Sequence, residues 1–279
     1  MNVKFTWLGT ANYILELDDI KLMFDPFFQR NEKSTPLLKT KREDIKDIKA
    51  IFISHAHFDH ITEAAWYAEN SDVPVYCSET AKNNAIRWAN GEIIENESYP
   101  ISDRAKFNLK VCEYFDKIEL SNKISVELIK SEHIKFDMNT IFTRLFSWKF
   151  LKQARTLAKY GRAFPLGKVF GFCTYYNGKR IVSFGSLWHK YEDILQNYQN
   201  CNLFITPLAG NSKKNIAKKG GKMVDILKPN IVIPIHWDNF FPPISRTENL
   251  TSFLNYLGRE HPSIQVIMPE VDKTEIIRI

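Results

Sequence analysis

The sequence predicts a layered α/β protein, and three observations carry that reading. Short β-branched and aromatic runs alternate with stretches of helical spacing along most of the 279 residues. Three strand patterns in close succession open the chain as a β-meander. The run His55-Ala56-His57-Phe58-Asp59-His60 directly follows an apolar strand pattern, at the strand end where open α/β sheets keep their sites.

Taken in order, strand patterns fall at 3–8, 13–17 and 20–24, with Asp18-Asp19 as the turn signal between the last two. The stretch 50–54 is short, β-branched and aromatic, which predicts a buried strand leading into the histidine run. Helical patterns at 63–69 and 79–89 flank a strand at 73–77, and strands at 110–115 and 125–129 lead to His133. Strands at 169–176 and 179–184 are joined by Asn177-Gly178, a type I′ hairpin signal. A helix at 191–198, strands at 202–206 and 231–235, a helix at 246–257 and short strands at 265–268 and 274–278 complete the pattern. With no Pro-, Gly- or Ser-rich linker, the expectation is a single domain over 1–279 made of two similar halves. Lys218-Lys219-Gly220-Gly221-Lys222 lacks the spacing of a phosphate-binding loop and reads as a solvated turn before a helix.

A hydrophobic fraction of 44% is ample for a buried core. Cys77, Cys112, Cys173 and Cys201 are far apart, form no CxxC pair and read as reduced thiols, which with the absence of a long apolar run predicts a soluble, cytoplasmic protein. The net charge of +6 is concentrated. Between Asn139 and Phe170 there is no acidic residue, while Arg144, Lys149, Lys152, Arg155, Lys159, Arg162 and Lys168 supply seven positive charges. Within it Ile141, Leu145 and Trp148, and again Phe142, Phe146 and Phe150, fit the apolar stripe of a helix, so residues 139–168 read as a basic amphipathic insertion. Such a face suits a membrane surface or an anionic headgroup, and equally an ordinary covering helix with solvated lysines.

Three imidazoles and a carboxylate within six residues form a metal-ligand set. Neutral imidazole nitrogen and carboxylate oxygen suit Zn2+, with Mn2+ or Fe2+ as alternatives, and leave coordination positions for water and substrate. A metal in such a site lowers the pKa of its water toward about 7 and polarises a carbonyl or phosphoryl group.

The same run is similar to the HxHxDH signature of the metallo-β-lactamase superfamily. Further landmarks follow in order: Asp25 in Met23-Phe24-Asp25-Pro26, His133 closing Val126-Glu127-Leu128-Ile129-Lys130-Ser131-Glu132-His133, and His236 in Ile233-Pro234-Ile235-His236-Trp237-Asp238. The opening Trp7-Leu8-Gly9-Thr10-Ala11-Asn12-Tyr13 most resembles the branch of ascorbate-6-phosphate lactonase and N-acylphosphatidylethanolamine phospholipase D. The resemblance implies a four-layer αββα sandwich of two mixed sheets. It implies one metal site of His55, His57 and His133 and a second of Asp59, His60 and His236. Asp59 would orient the attacking water and accept its proton, and Asp25 would orient a ligand imidazole from behind.

One departure stands out. The family follows the strand matching 180–184 with a glycine and an aspartate that bridges both metals, whereas here Gly185-Ser186 stands there. A neutral serine removes a negative charge from between two cations, which predicts a weaker second site. Glu132 and His189 are the candidates to replace it. Trp188 and Trp237 read either as pocket walls or as core.

The leading expectation is a hydrolase acting on an ester, lactone or phosphodiester, with a small-molecule or phospholipid-like anionic substrate. The alternative is a weakly metallated or non-catalytic binding relative, for which Ser186 argues. A nuclease is the third reading. Charge confined to one segment, with no interleaved aromatic patches elsewhere, speaks against nucleic acid. The sequence carries no signal for oligomeric state.

Overall fold

Alternation within the opening strands explains how they pack. In β1 (Asn2–Trp7) the residues Val3, Phe5 and Trp7 are buried while Asn2 and Lys4 are exposed, the period of a strand with one face inward. β2 (Tyr13–Leu17) and β3 (Ile20–Phe24) continue the meander antiparallel. This computed structural model describes residues 1–94, 98–134, 159–187, 191–210, 212–242 and 245–279. Residues 139–158 of the basic segment, with Arg144, Lys149, Lys152 and Arg155, and also Trp188 and His189, lie outside the described residues.

Beyond β3 the first sheet turns parallel through β4 (Ile48–Phe52), β5 (Val75–Cys77) and β6 (Leu109–Val111), with β14 (Thr274–Arg278) closing the far edge beside β1. The order is β14-β1-β2-β3-β4-β5-β6. The second sheet repeats this gradient. β7 (Lys117–Glu119), β8 (Ile124–Ser131), β9 (Val169–Tyr176) and β10 (Lys179–Phe184) run antiparallel. β11 (Leu203–Pro207), β12 (Ile231–Ile235) and β13 (Gln265–Val266) then add parallel strands. β11 and β12 are buried along their whole length, as central parallel strands must be.

The two sheets face one another across an aromatic core. Phe5, Trp7, Tyr13, Phe24 and Phe52 of the first pack with Val126, Leu128, Phe172, Ile205 and Ile233 of the second. Phe24 and Phe172 meet across the interface with ring centroids 5.3 Å apart, and Tyr13 donates its hydroxyl to Ser183 Oγ at 2.7 Å. Burying each such ring contributes about 1.5–3 kcal/mol. Helices cover the outer faces: α1 (Phe58–Ile61), α2 (Ala64–Asn70), α3 (Glu79–Ala89) and α4 (Asp103–Asn108) on the first. α5 (Glu192–Gln196), α6 (Lys213–Leu227) and α7 (Thr251–Glu260) cover the second. The result is the four-layer α/β arrangement that the resemblance implied. No helix among the described residues is long and apolar enough to cross a membrane. All four cysteines are free and buried.

Three expectations need correction. Lys218-Lys219-Gly220-Gly221-Lys222 is not a turn but the middle of α6. There Gly220 and Gly221 let α7 approach, since a Cβ would meet Phe253 Cε2 at 2.9 Å and Tyr256 Cε1 at 2.6 Å. The helix expected from Arg246 starts at Thr251. α4 was not foreseen. Its signal is Ser102, whose hydroxyl accepts from Ala105 N at 3.1 Å as an N-cap, and the strand expected at 110–115 spans Leu109–Val111.

Candidate metal centre

The candidate site lies where strand ends of both sheets converge. Asp25 follows β3, the His55–His60 run follows β4, His133 and Ser186 each stand two residues beyond β8 and β10, and His236 directly follows β12. His57 caps α1 with extended backbone (φ −71°, ψ 152°), which sets Asp59 and His60 in the first turn of that helix. Asp25 (φ 44°) and His236 (φ 56°) both adopt left-handed backbone, a conformation non-glycine residues hold only where their surroundings enforce it.

Two groups of ligand atoms result. Those of His55, His57 and His133 lie within 4.8 Å of one another, and so do those of Asp59, His60 and His236. Ring centroids in the first group are 4.6 to 5.0 Å apart. His55 and His60, at 3.9 Å, link the groups. Asp59 Oδ2 stands 3.6 Å from His60 Nε2 and 3.5 Å from His236 Nε2.

The hydrogen bonds behind the imidazoles decide which nitrogens remain available. His133 Nδ1 donates to the Ile134 carbonyl at 2.8 Å, leaving a lone pair on Nε2. His60 Nδ1 donates to Asp25 Oδ2 at 2.8 Å, with the same consequence. Ser54 donates its hydroxyl to Asp25 Oδ2 (2.6 Å), so its oxygen accepts from His55 Nδ1 (2.9 Å). His55 Nε2 is then left buried without a protein partner, and so is His236 Nδ1. Orphaned nitrogens are costly in a protein interior unless something outside the chain satisfies them. The imidazole nitrogens of the two groups together with the Asp59 carboxylate fit a divalent cation, and this donor set suits zinc.

Electrostatics agree with that use. Burial, reinforced by neighbouring imidazoles, holds His55 well below the ordinary histidine range, and burial followed by His57 takes His133 down to about 3. Burial also lowers His57. These rings are neutral at pH 7, the form a metal needs. At His60 burial opposes the charge, but Asp25 and Asp59 outweigh it and raise the pKa. Burial would raise Asp59, yet His60, His236 and His57 together bring it below the ordinary carboxylate value, so it stays ionised.

The six candidate ligands come to this place together with Asp25 and Ser186, in different environments. Ser186 is buried and accepts a hydrogen bond from Ile134 N at 2.9 Å, which ties its oxygen to the loop that carries His133. Glu132 does not replace the missing carboxylate; it is exposed and accepts from the Tyr191 hydroxyl at 2.8 Å. Trp237 packs on Trp7 in the core, ring centroids 5.1 Å apart. Close approach explains Gly185, where a Cβ would lie 1.9 Å from Ser54 Oγ and 2.7 Å from Asp25 Oδ2.

Sequence reasoning missed three residues that build the site. Ser54 bonds Asp25 through both backbone and side chain, at 2.6 Å each. Asp238 and Arg30 form a buried ion pair at 2.9 Å, and Asp238 also accepts from Thr10 N at 3.0 and 3.1 Å. The Thr10 carbonyl in turn accepts from His236 N at 2.9 Å, so the pair braces the backbone of a candidate ligand. Asp238 beside His236 was a visible signal; Arg30, distant in sequence, carried none.

In front of the histidines opens a cavity of about 350 Å³, walled by Phe58, Tyr160, Phe164, Leu187, Phe240 and Phe241, with Arg246 and Glu248 among its other lining residues.

Comparison with known proteins agrees with the geometry. Residues 5–135 match the sequence profile of the Metallo-beta-lactamase superfamily. A UPF0173 metal-dependent hydrolase of Pyrococcus abyssi is 24% identical over 246 residues, 87% of this chain and 88% of the relative. Among solved structures, a metallo hydrolase from Ignicoccus hospitalis superposes with a TM-score of 0.65 at 17% identity over 100% of both chains. The isothiocyanate hydrolase from Delia radicum gut bacteria does so with 0.61 at 15% identity, over 98% of both. At such identities the structural likeness is one of fold.

Proposed function

We propose that the chain is a member of the metallo-β-lactamase superfamily, whose profile residues 5–135 match, and that it is a metal-dependent hydrolase working through the two ligand groups. The observation that carries this reading is the buried, unpartnered His55 Nε2 in the group of three histidines, beside a second group in which Asp59 Oδ2 stands 3.6 Å from His60 Nε2 and 3.5 Å from His236 Nε2. His55, His57 and His133 would hold one zinc ion and Asp59, His60 and His236 a second. When bound, such a metal supplies Lewis acidity and a nucleophilic water at neutral pH.

The chain's own residues do the rest. Asp59 is held ionised between His60 and His236 and accepts the proton of the attacking water. Asp25 fixes the His60 ring through Nδ1, and Ser54 does the same for His55. Ser186 stands where the family pattern has a bridging aspartate and brings no negative charge, so the group of three histidines would be the tighter site and the second the weaker. Ester, lactone and phosphodiester bonds are the targets this chemistry suits, as in the lactonase and phospholipase D-like branch that the opening segment resembles.

The test is hydrolysis of p-nitrophenyl butyrate, γ-butyrolactone and bis-p-nitrophenyl phosphate before and after chelation, and after zinc is restored. At least one should be turned over, with the rate abolished by chelator and by His57→Ala and recovered with zinc in the wild type only. Turnover indifferent to both treatments would refute the reading.

A further inference from the structure

The cavity wall differs in chemistry from the histidine floor. Phe58 follows His57 directly, Phe240 lies with its ring 5.0 Å from the His236 imidazole, and Tyr160 and Phe241 complete the rim from two further segments. Phe58, Tyr160 and Phe241 contact one another with centroids 4.7, 5.0 and 5.4 Å apart. Behind them Phe164 is fully buried, whereas these three and Phe240 are only partly so. Rings packed edge to face around an open concavity, instead of closing on each other as a finished core, present apolar surface to a ligand.

Charge points the same way. Arg246 is the one lysine or arginine lining the cavity among the described residues, and it is paired with Glu248, Nε to Oε2 at 3.3 Å. Among the described lining residues, aromatic and aliphatic side chains thus outnumber cationic ones. A volume of about 350 Å³ falls at the small end of ligand pockets.

We propose that this cavity selects small substrates whose non-reacting part is an apolar chain or ring, seated against Phe58, Tyr160, Phe240 and Phe241 while the scissile group meets the histidine cluster. The proposal rests on the hydrolase reading and names its substrate class: acyl or aryl compounds with an apolar non-reacting part. Rigid aromatic walls lose little conformational entropy on binding, so each methylene buried against them adds to affinity.

Alkyl hydroxamates combine a metal-binding head with an adjustable tail and serve as probes. Calorimetric titration of zinc-loaded protein should show affinity rising about fourfold per methylene from acetohydroxamate to hexanohydroxamate. Phe241→Ala should weaken hexanohydroxamate about tenfold and leave acetohydroxamate unchanged. Acetohydroxamate binding with no gain along the series overturns the proposal while the hydrolase reading stands. If no hydroxamate binds, the hydrolase reading fails, and 1-alkanols, which need no metal, decide the wall by themselves. Stronger thermal stabilisation by 1-octanol than by 1-butanol at equal concentration then supports it, and equal stabilisation overturns it.

Discussion

Asp238 illustrates how much of the site depends on side chains that touch no ligand position. Its carboxylate is fully buried, paired with Arg30 and bonded to Thr10 N, and Thr10 in turn holds the His236 backbone in its left-handed conformation. Asp238→Ala removes the carboxylate paired with the buried Arg30 guanidinium and leaves only the more weakly coupled Asp272, a loss of about 3 kcal/mol. Asp238→Asn keeps an acceptor for Thr10 N and should cost less. Urea denaturation of the metal-free proteins measures both; an alanine variant within about 1 kcal/mol of wild type would show that the pair is not structural. The difference between Arg30 and His57 also shows which residues a sequence reveals. His57 stands in a contiguous ligand run, because one loop at one strand end delivers four of the candidate ligands. Arg30 reaches Asp238 only after both sheets have formed, and no local spacing announces it.

At the scale of elements, the strand patterns were legible wherever burial imposed a period. β2, β3, β9, β10 and β12 stand where alternation or continuous apolar runs placed them. α6 was lost because two adjacent glycines among three lysines resemble a turn, when the glycines instead make room for Phe253 and Tyr256 of α7. The loop and helix bearing His55, His57 and His60, with the β8 end bearing His133, act together in acid. The lowered pKa values of His55, His57 and His133 mean that the unfolded chain takes up protons first as pH falls below 6.5, so stability is complete above that value and is lost toward about pH 3. The raised pKa of His60 has the opposite sign, adding stability below 6.5 that fades as pH rises through its folded value. Three histidines outweigh one. Metal-free protein should therefore lose stability between pH 6.5 and 4, by at most about 1.4 kcal/mol per pH unit per histidine. Denaturation midpoints that stay flat or rise across this range would contradict the assignment.

For the molecule as a whole, the arrangement of ligands ties the two sheets together. β4 of the first sheet and β8 and β12 of the second each deliver part of the candidate centre, so both groups draw on both sheets. A metal that binds the folded chain alone then stabilises the assembly of the two layers, in proportion to its affinity and concentration. The asymmetry proposed between the groups would follow from one position, Ser186, whose hydroxyl is bonded to Ile134 N where the family pattern of the resemblance has a bridging carboxylate. That asymmetry is the central claim, and calorimetric titration of zinc into metal-free wild type and Ser186→Asp protein tests it most directly. The account predicts one tight equivalent and a second, weaker one in the wild type, with the aspartate strengthening chiefly the second. Two equivalents of equal affinity in the wild type, or no zinc bound at all, would contradict it.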